Sequence, residues 1–302
     1  VTIAITGGTG FVGQAVLDLV ARRGIAARAL ARKLPDDRPG VDWIAGNLGD
    51  AAALDRLATG ADVVIHIAGL TNTPDPAEFE AANVTGTAAM LDAATRAGVK
   101  RFIFVSSLSA REPRLSAYGA SKAQAEELVA ASGLDWTMVR PPAVYGPRDH
   151  DMFELFKSAR YGLVPMPPSG ATSMIHVDDL AKLLLALAPA SPKLRRKIFE
   201  PDDGREGGWS YKELGQAIGD AMGRRVFAPN LPKSLLRSAA SLDKIFRGKN
   251  AKLTADRVGY MCHPNWVARS DKAVPLDIWS PAIPTRDGLK QTAAWYRQQG
   301  WL

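Results

Sequence analysis

The sequence predicts an α/β fold, a doubly wound parallel sheet with a second, smaller and mostly helical part. Three observations predict it. Apolar runs of strand length alternate with helical stretches through the first half of the chain, the order that builds a parallel sheet with right-handed crossovers. The run Asp62-Val63-Val64-Ile65-His66-Ile67-Ala68 is almost continuously apolar, as expected of a strand covered on both faces. The first strand, residues 1–5, runs directly into Thr6-Gly7-Gly8-Thr9-Gly10-Phe11-Val12-Gly13, with glycines three apart where strand gives way to helix.

The first helix starts near Phe11 and ends near Gly24; residues 25–31 and 41–45 read as the second and third strands, and 51–58 as a short helix. The apolar run at 62–68 is the fourth strand. A long helix over 77–97, a fifth strand at 101–106, a helix over 117–131 and a sixth strand at 135–139 continue the alternation. Beyond Gly146-Pro147 the rhythm changes, and Pro165, Pro167, Pro168 and Gly170 mark an irregular segment. A helix at 178–188 and a last strand at 198–200 follow. Ser210-Tyr211-Lys212-Glu213 has capping-box spacing and opens a helix to about Met222; the remainder is proline-interrupted and mostly helical. These elements divide into a dinucleotide-binding domain, 1–147 with 174–200, and a substrate domain, 148–173 with 201–302, over the sheet's ligand edge.

The glycine turn has a chemical use. Gly7 permits the tight turn, Gly10 lets phosphates approach bare backbone N–H groups at the positive helix end, and Gly13 lets the helix pack close to the strand. A dinucleotide's pyrophosphate fits there. Where the second strand ends, a carboxylate would accept the ribose 2′-hydroxyl of NAD, but the chain reads Leu30-Ala31-Arg32-Lys33. A guanidinium at Arg32 grips a 2′-phosphate and stacks on adenine, so the expected cofactor is NADP, with NAD the lesser alternative.

Composition narrows the rest. The 302 residues are 46% hydrophobic and 23% charged, ordinary for a folded globule long enough for one large or two unequal domains. The single cysteine, Cys262, excludes an internal disulfide, and without a cysteine pair or a close histidine pair no metal is expected. The net charge of +7 is dispersed and no aromatic-basic motif accompanies it, so nucleic acid is not an expected partner. The longest apolar run, 183–188, is too short to span a bilayer, and the chain opens on a core strand instead of a signal peptide; a cytoplasmic location is expected.

Tyr118-Gly119-Ala120-Ser121-Lys122 opens the helix after the fifth strand, which puts phenol and ammonium four apart on one face. A nearby lysine cation favours phenolate, so Tyr118 can pass a proton to or from a substrate oxygen. A hydroxyl at the end of the fifth strand can donate to the same oxygen; Ser107 is favoured over Ser106 and Ser109.

Together with these residues, His66-Ile67-Ala68-Gly69, Asn83-Val84-Thr85-Gly86-Thr87, Val105-Ser106-Ser107, Arg140-Pro141-Pro142-Ala143-Val144-Tyr145-Gly146-Pro147 and His176-Val177-Asp178-Asp179-Leu180-Ala181 make the chain resemble the extended short-chain dehydrogenases/reductases, the epimerase/dehydratase superfamily of Rossmann-fold oxidoreductases. The resemblance implies that Ser107, Tyr118 and Lys122 are catalytic and that Lys122 also holds the nicotinamide ribose. It places Pro141, Ala143 and Val144 beside the nicotinamide ring and Ala68 and Gly69 along the cofactor's centre. Thr9, Phe11, Val12, Asn47 and Leu48 complete the expected cofactor set with Gly7, Gly10, Gly13 and Arg32. Asp178 is expected to cap the helix that follows it, and Asn83 to fix a helix or a water.

Two departures from sugar-modifying members bear on substrate. Tyr118 stands only eleven positions after Ser107, so the loop between them is pared down, and Ala143 stands where those members carry an asparagine that reaches nucleotide-sugar phosphates. The leading expectation is therefore an NADP-dependent reductase or dehydrogenase acting on a carbonyl or alcohol of a small, fairly apolar molecule, nearest to dihydroflavonol-reductase and hydroxysteroid-dehydrogenase relatives. The alternatives are a nucleotide-sugar epimerase or dehydratase and a non-catalytic NADP-binding scaffold similar to an accessory subunit of respiratory complex I. Met152, Phe153, Phe156, Leu163 and Met166 are expected to supply apolar pocket wall. Segment 231–252, where leucine, isoleucine and phenylalanine alternate with lysine and arginine, is expected to form a lid in preference to a membrane-surface helix. A homodimer is left open.

Overall fold

The computed structural model describes residues 1–248 and 251–302. The apolar runs become short strands: β1 (Ile3–Thr6), β2 (Ala27–Ala31), β3 (Val41–Ala45), β4 (Val63–His66), β5 (Arg101–Val105), β6 (Asp135–Val139), β7 (Ala143–Tyr145), β8 (Ala171–Thr172), β9 (Met174–His176) and β10 (Lys197–Phe199). Seven of them pair in parallel in the order β10-β6-β5-β4-β1-β2-β3. The order reverses between β1 and β4, which opens a crevice at their carboxyl ends. β7 pairs with β9 in a separate ladder, and β8 lies between β11 (Trp209–Ser210) and β12 (Asn265–Trp266).

The pleat sorts the sheet's side chains into two cores. Ile3, Ile5, Val63, Ile65, Ile103 and Val105 pack beneath α1 (Phe11–Arg22) and α7 (Val177–Ala186). On the other face Ala4, Val64, Phe102, Phe104 and Met138 meet α2 (Ala51–Ala58), α4 (Gly86–Arg96) and α5 (Ala117–Ala131). A third core joins α6 (His150–Ala159), α8 (Tyr211–Met222) and α11 (Thr285–Gln298), and a small fourth joins α9 (Lys233–Arg247) to α10 (Ala255–Met261).

Four expectations are corrected. The long helix over 77–97 is broken: α3 (Pro76–Phe79) passes through a widened π turn, Glu80–Thr85, before α4. Asn, Val and Thr are weak helix formers, and Asn83 spends its side chain on Leu70, which holds the turn open. No helix is expected between Pro147 and Pro165, yet α6 lies there, opened by Asp149, whose carboxylate accepts the amides of Asp151 and Met152, while the proline-marked stretch 165–170 is irregular as expected. Phe156 and Met166 are fully buried in the third core with Met152 and Phe153 against it, so these four are packing residues and not a pocket wall, and Leu163 is exposed outside that core. The cap of α7 is His176, whose Nδ1 accepts the amide of Asp178 at 3.2 Å; Asp178 itself sits in the first turn. Residues 249 and 250 of segment 231–252 lie outside the described residues.

Candidate active site

The glycine turn is shaped by close approach. Gly7 has φ +74°, and a Cβ there would sit 2.7 Å from the amide nitrogen of Ala68; a Cβ on Gly13 would fall 2.0 Å from the carbonyl oxygen of Gly7. Gly10 is the N-cap of α1, no side chain occupies its cap, and the first turn holds no acid. The positive helix end is left for an anion, so the cradle suits a pyrophosphate. Thr9 and Gly10 are exposed, and Phe11 and Val12 are half-buried against the α1 core.

Around this turn the strand ends bring most of the expected residues together. Ala68 and Gly69 follow β4, Ser107 follows β5, Pro141 follows β6, and Ala143 and Val144 lie on β7. Arg32 is exposed one residue past β2. Asn47 and Leu48 follow β3; Asn47 Oδ1 accepts the amide of Gly49 at 2.8 Å, and Leu48 fills the space where Gly86 lacks a side chain.

Beneath the turn runs a hydrogen-bond chain that the sequence does not announce. The amide of Ala68 donates to Thr6 Oγ1 at 3.2 Å, and Thr6 Oγ1 lies 2.7 Å from His66 Nδ1. Thr87 Oγ1 donates to the carbonyl of Asn83 at 2.6 Å, so it accepts from His66 Nε2 at 3.0 Å. His66 is thereby held neutral with its proton on Nε2. Burial pulls its pKa down to about 3, and the charge of Lys122 adds to the effect.

Tyr118 stands in the first turn of α5, which Ser116 caps by accepting the amide of Gly119 at 2.9 Å. Its ring is 7% exposed between Phe79 and Tyr260, whose centroids lie 5.8 and 5.7 Å away. Burial raises the Tyr118 pKa, and a hydrogen bond with Ser107 works against that rise. Lys122 donates to the carbonyl of Val105 at 3.1 Å; burial pulls its pKa down to about 8, opposed by Glu126. Ser106 is engaged elsewhere, donating to Glu126, which also holds Arg140. Of the two adjacent serines, Ser107 is the one whose hydroxyl acts on the Tyr118 phenol, easing its pKa down.

Two further groups fix this arrangement. Asn83 Oδ1 accepts the amide of Leu70 at 2.7 Å, and its Nδ2 donates to the Leu70 carbonyl and to Ser121 Oγ at 3.0 and 2.9 Å, joining the loop after β4 to α5. Sequence reasoning missed α10 as the cover. Asp256 accepts the amides of Ala117 and Tyr118 at 2.5 and 3.4 Å, Arg257 pairs with Asp151 at 3.0 Å, and the Asn72 amide donates to the carbonyl of Ala251 at 3.1 Å. Nothing in the local pattern around Asp256 signals a contact with a helix so far away in sequence. Among the described residues no cluster of three His, Cys, Asp or Glu could hold a metal ion, and no helix is long and apolar enough to cross a membrane.

Residues 3–198 match the family model described as the NAD dependent epimerase/dehydratase family. A ceramide reductase from Caulobacter vibrioides is 35% identical, over 99% of this chain and 96% of its own length. The 4-hydroxy-2-methyl-3-oxo-4-farnesyl-3,4-dihydroquinoline-1-oxide ketoreductase of Stigmatella aurantiaca is 31% identical, over 79% of this chain and 78% of its own. The crystal structure of gox2253 superposes with a TM-score of 0.78 at 25% identity, covering 99% of this chain and 98% of that one.

Proposed function

Since the chain belongs to the NAD-dependent epimerase/dehydratase family, whose members are enzymes working with a nicotinamide dinucleotide, we propose that it is an NADP-dependent reductase acting on a ketone of a ceramide-type, long-chain lipid. One observation carries the substrate class. The family match ends at residue 198, whereas the likeness to the ceramide reductase runs on through the C-terminal third, the part this reading assigns to substrate. Ala143 supports it, because it offers no amide to a nucleotide sugar's phosphates.

In this reading the glycine cradle at Gly7, Gly10 and Gly13 holds the pyrophosphate, Arg32 the 2′-phosphate and Lys122 the nicotinamide ribose. When bound, the reduced nicotinamide supplies a hydride to the carbonyl carbon. Tyr118, whose burial keeps its proton in place, gives that proton to the carbonyl oxygen as the alcohol forms, and Ser107 donates a hydrogen bond to the same oxygen. The Lys122 ammonium, one helical turn on, stabilises the phenolate that Tyr118 becomes. Residues 1–147 with 174–200 hold the cofactor, and 148–173 with 201–302 close over the substrate.

The test is NADPH consumption with a detergent-dispersed long-chain ketone bearing the adjacent amide of a ceramide, run beside a nucleotide-sugar panel. Lipid-dependent NADPH oxidation is expected. Sugar turnover would replace the substrate class, and inactivity towards every carbonyl and sugar would favour a binding scaffold.

A further inference from the structure

α9 is placed the wrong way round for a helix on a water-soluble surface. Its buried contacts come from Leu236 and Ala240, which meet Val258 of α10. Its larger apolar side chains point out: Leu235, Leu242, Ile245 and Phe246 are 51%, 55%, 75% and 83% exposed. At helical spacing Leu235, Leu242 and Phe246 form one stripe with Ile245 beside it. Single exposed leucines are ordinary; an outward stripe is not.

The charge on this helix is one-sided. Arg237, Lys244 and Arg247 are exposed, and the helix has one acid, Asp243, which pairs with Arg247 at 3.2 Å and accepts the amides of Lys252 and Leu253. Behind α9 lies α10, whose Tyr260 packs on Tyr118 and whose Asp256 holds the start of α5. The stripe therefore faces outward from the element that covers the candidate site.

We propose that α9 is a docking surface for an anionic lipid bilayer, with Leu235, Leu242, Ile245 and Phe246 entering the acyl boundary and Arg237 and Lys244 meeting lipid phosphates. This rests on the reading of the substrate as a membrane-resident lipid. Arg237 and Lys244 lie about half a turn round the helix from the stripe, the arrangement of a helix lying in a bilayer interface with its cations at headgroup level, and a membrane-resident substrate favours a bilayer over a second copy of the chain. Docking here brings the cover of Tyr118 to where a long-chain substrate resides.

Sedimentation of the full chain with phosphatidylglycerol vesicles and, separately, with phosphatidylcholine vesicles tests the surface. The parent should pellet with phosphatidylglycerol and bind about tenfold or more weakly to phosphatidylcholine or in high salt. The double variant Ile245→Ser/Phe246→Ser should stay in the supernatant while keeping the parent's turnover of detergent-dispersed ketolipid. A parent that remains soluble beside phosphatidylglycerol overturns the proposal, as does pelleting that the double variant retains. A concentration-dependent dimer split by the variant, without vesicle binding, assigns the face to a second copy instead. Turnover in detergent needs no docking, so its absence overturns the substrate reading and leaves the vesicle result to judge the surface.

Discussion

Asp256 accepts the backbone amide of Ala117 at 2.5 Å, so the helix that carries Tyr118 is tied at its first turn to the element lying over it. A carboxylate suits that position, because the first amides of a helix lack internal partners and carry its positive end. Asp256→Ala should lower stability by roughly 1 kcal/mol, the usual cost of a lost cap. It should also lower kcat while leaving NADPH affinity near the parent's, since the glycine cradle lies on a different strand end. Urea unfolding and calorimetry check the two parts; an unchanged kcat would separate the cover from the chemistry.

Tyr118→Phe keeps the ring between Phe79 and Tyr260 and removes the hydroxyl beside Ser107. Turnover of the substrate should fall by roughly 100-fold or more, with cofactor affinity retained, because what is lost is the transferable proton. Near-parent activity would move the proton donor elsewhere.

Lys122→Met separates function from stability. Burial holds the Lys122 pKa at about 8, below the 10.5 of an unfolded lysine. At neutral pH the fold therefore carries a desolvated charge, and its stability should rise as pH goes from about 8 towards 10.5, where the folded lysine has released the proton that the unfolded one retains. Methionine has a similar length and no charge, but leaves the Val105 carbonyl without the lysine's hydrogen bond. The variant should lose activity and gain on the order of 1–2 kcal/mol at pH 7, with a flatter pH profile above 8. Denaturant titrations at both pH values decide it.

What the sequence made legible follows period and proximity. β4 and β5 could be placed because strands covered on both faces are continuous apolar runs, and the turn from Gly7 to Gly13 because its spacing forbids side chains. Tyr118 and Lys122 share a helix face through spacing alone. The contacts of Asp256, Arg257 and Tyr260 were not legible, since they join α10 to α5 and α6 across more than a hundred residues of chain and leave no local signature. The π turn at Glu80–Thr85 was hidden because its cause, the grip of Asn83 on Leu70, is tertiary. Met152, Phe153, Phe156 and Met166 looked like pocket wall because core and pocket share one apolar composition; only their place in the third core, with Phe153 and Phe156 against Tyr296, tells them apart.

Cofactor choice should be set at the end of β2. A guanidinium at Arg32 makes charge-assisted hydrogen bonds to a 2′-phosphate worth ~1.5–3 kcal/mol, which is roughly 10- to 100-fold in affinity. The parent should prefer NADPH to NADH by that factor, and Arg32→Ser should lose NADPH affinity while barely changing that for NADH. Arg32 is exposed, so the substitution disturbs no packing. Equal affinities in the parent, or equal losses in the variant, would remove the assignment.

The His66 chain should make the fold sensitive to mild acid. Buried between Thr6 and Thr87, the imidazole has its pKa pulled down to about 3, while in the unfolded chain it titrates near 6.5. Its contribution is complete above pH 6.5. As pH falls towards 3 the unfolded chain takes up a proton that the folded one refuses, so stability declines by up to about 1.4 kcal/mol per pH unit from this group alone. Between pH 7 and pH 5 that is about 2 kcal/mol, readable as a lower urea midpoint. His66→Gln supplies the control, since an amide can still donate to Thr87 and accept from Thr6 but takes up no proton in this range. The variant should be somewhat less stable at pH 7 and show a shallower decline towards pH 5. An equally steep decline in His66→Gln would place the acid sensitivity in other groups.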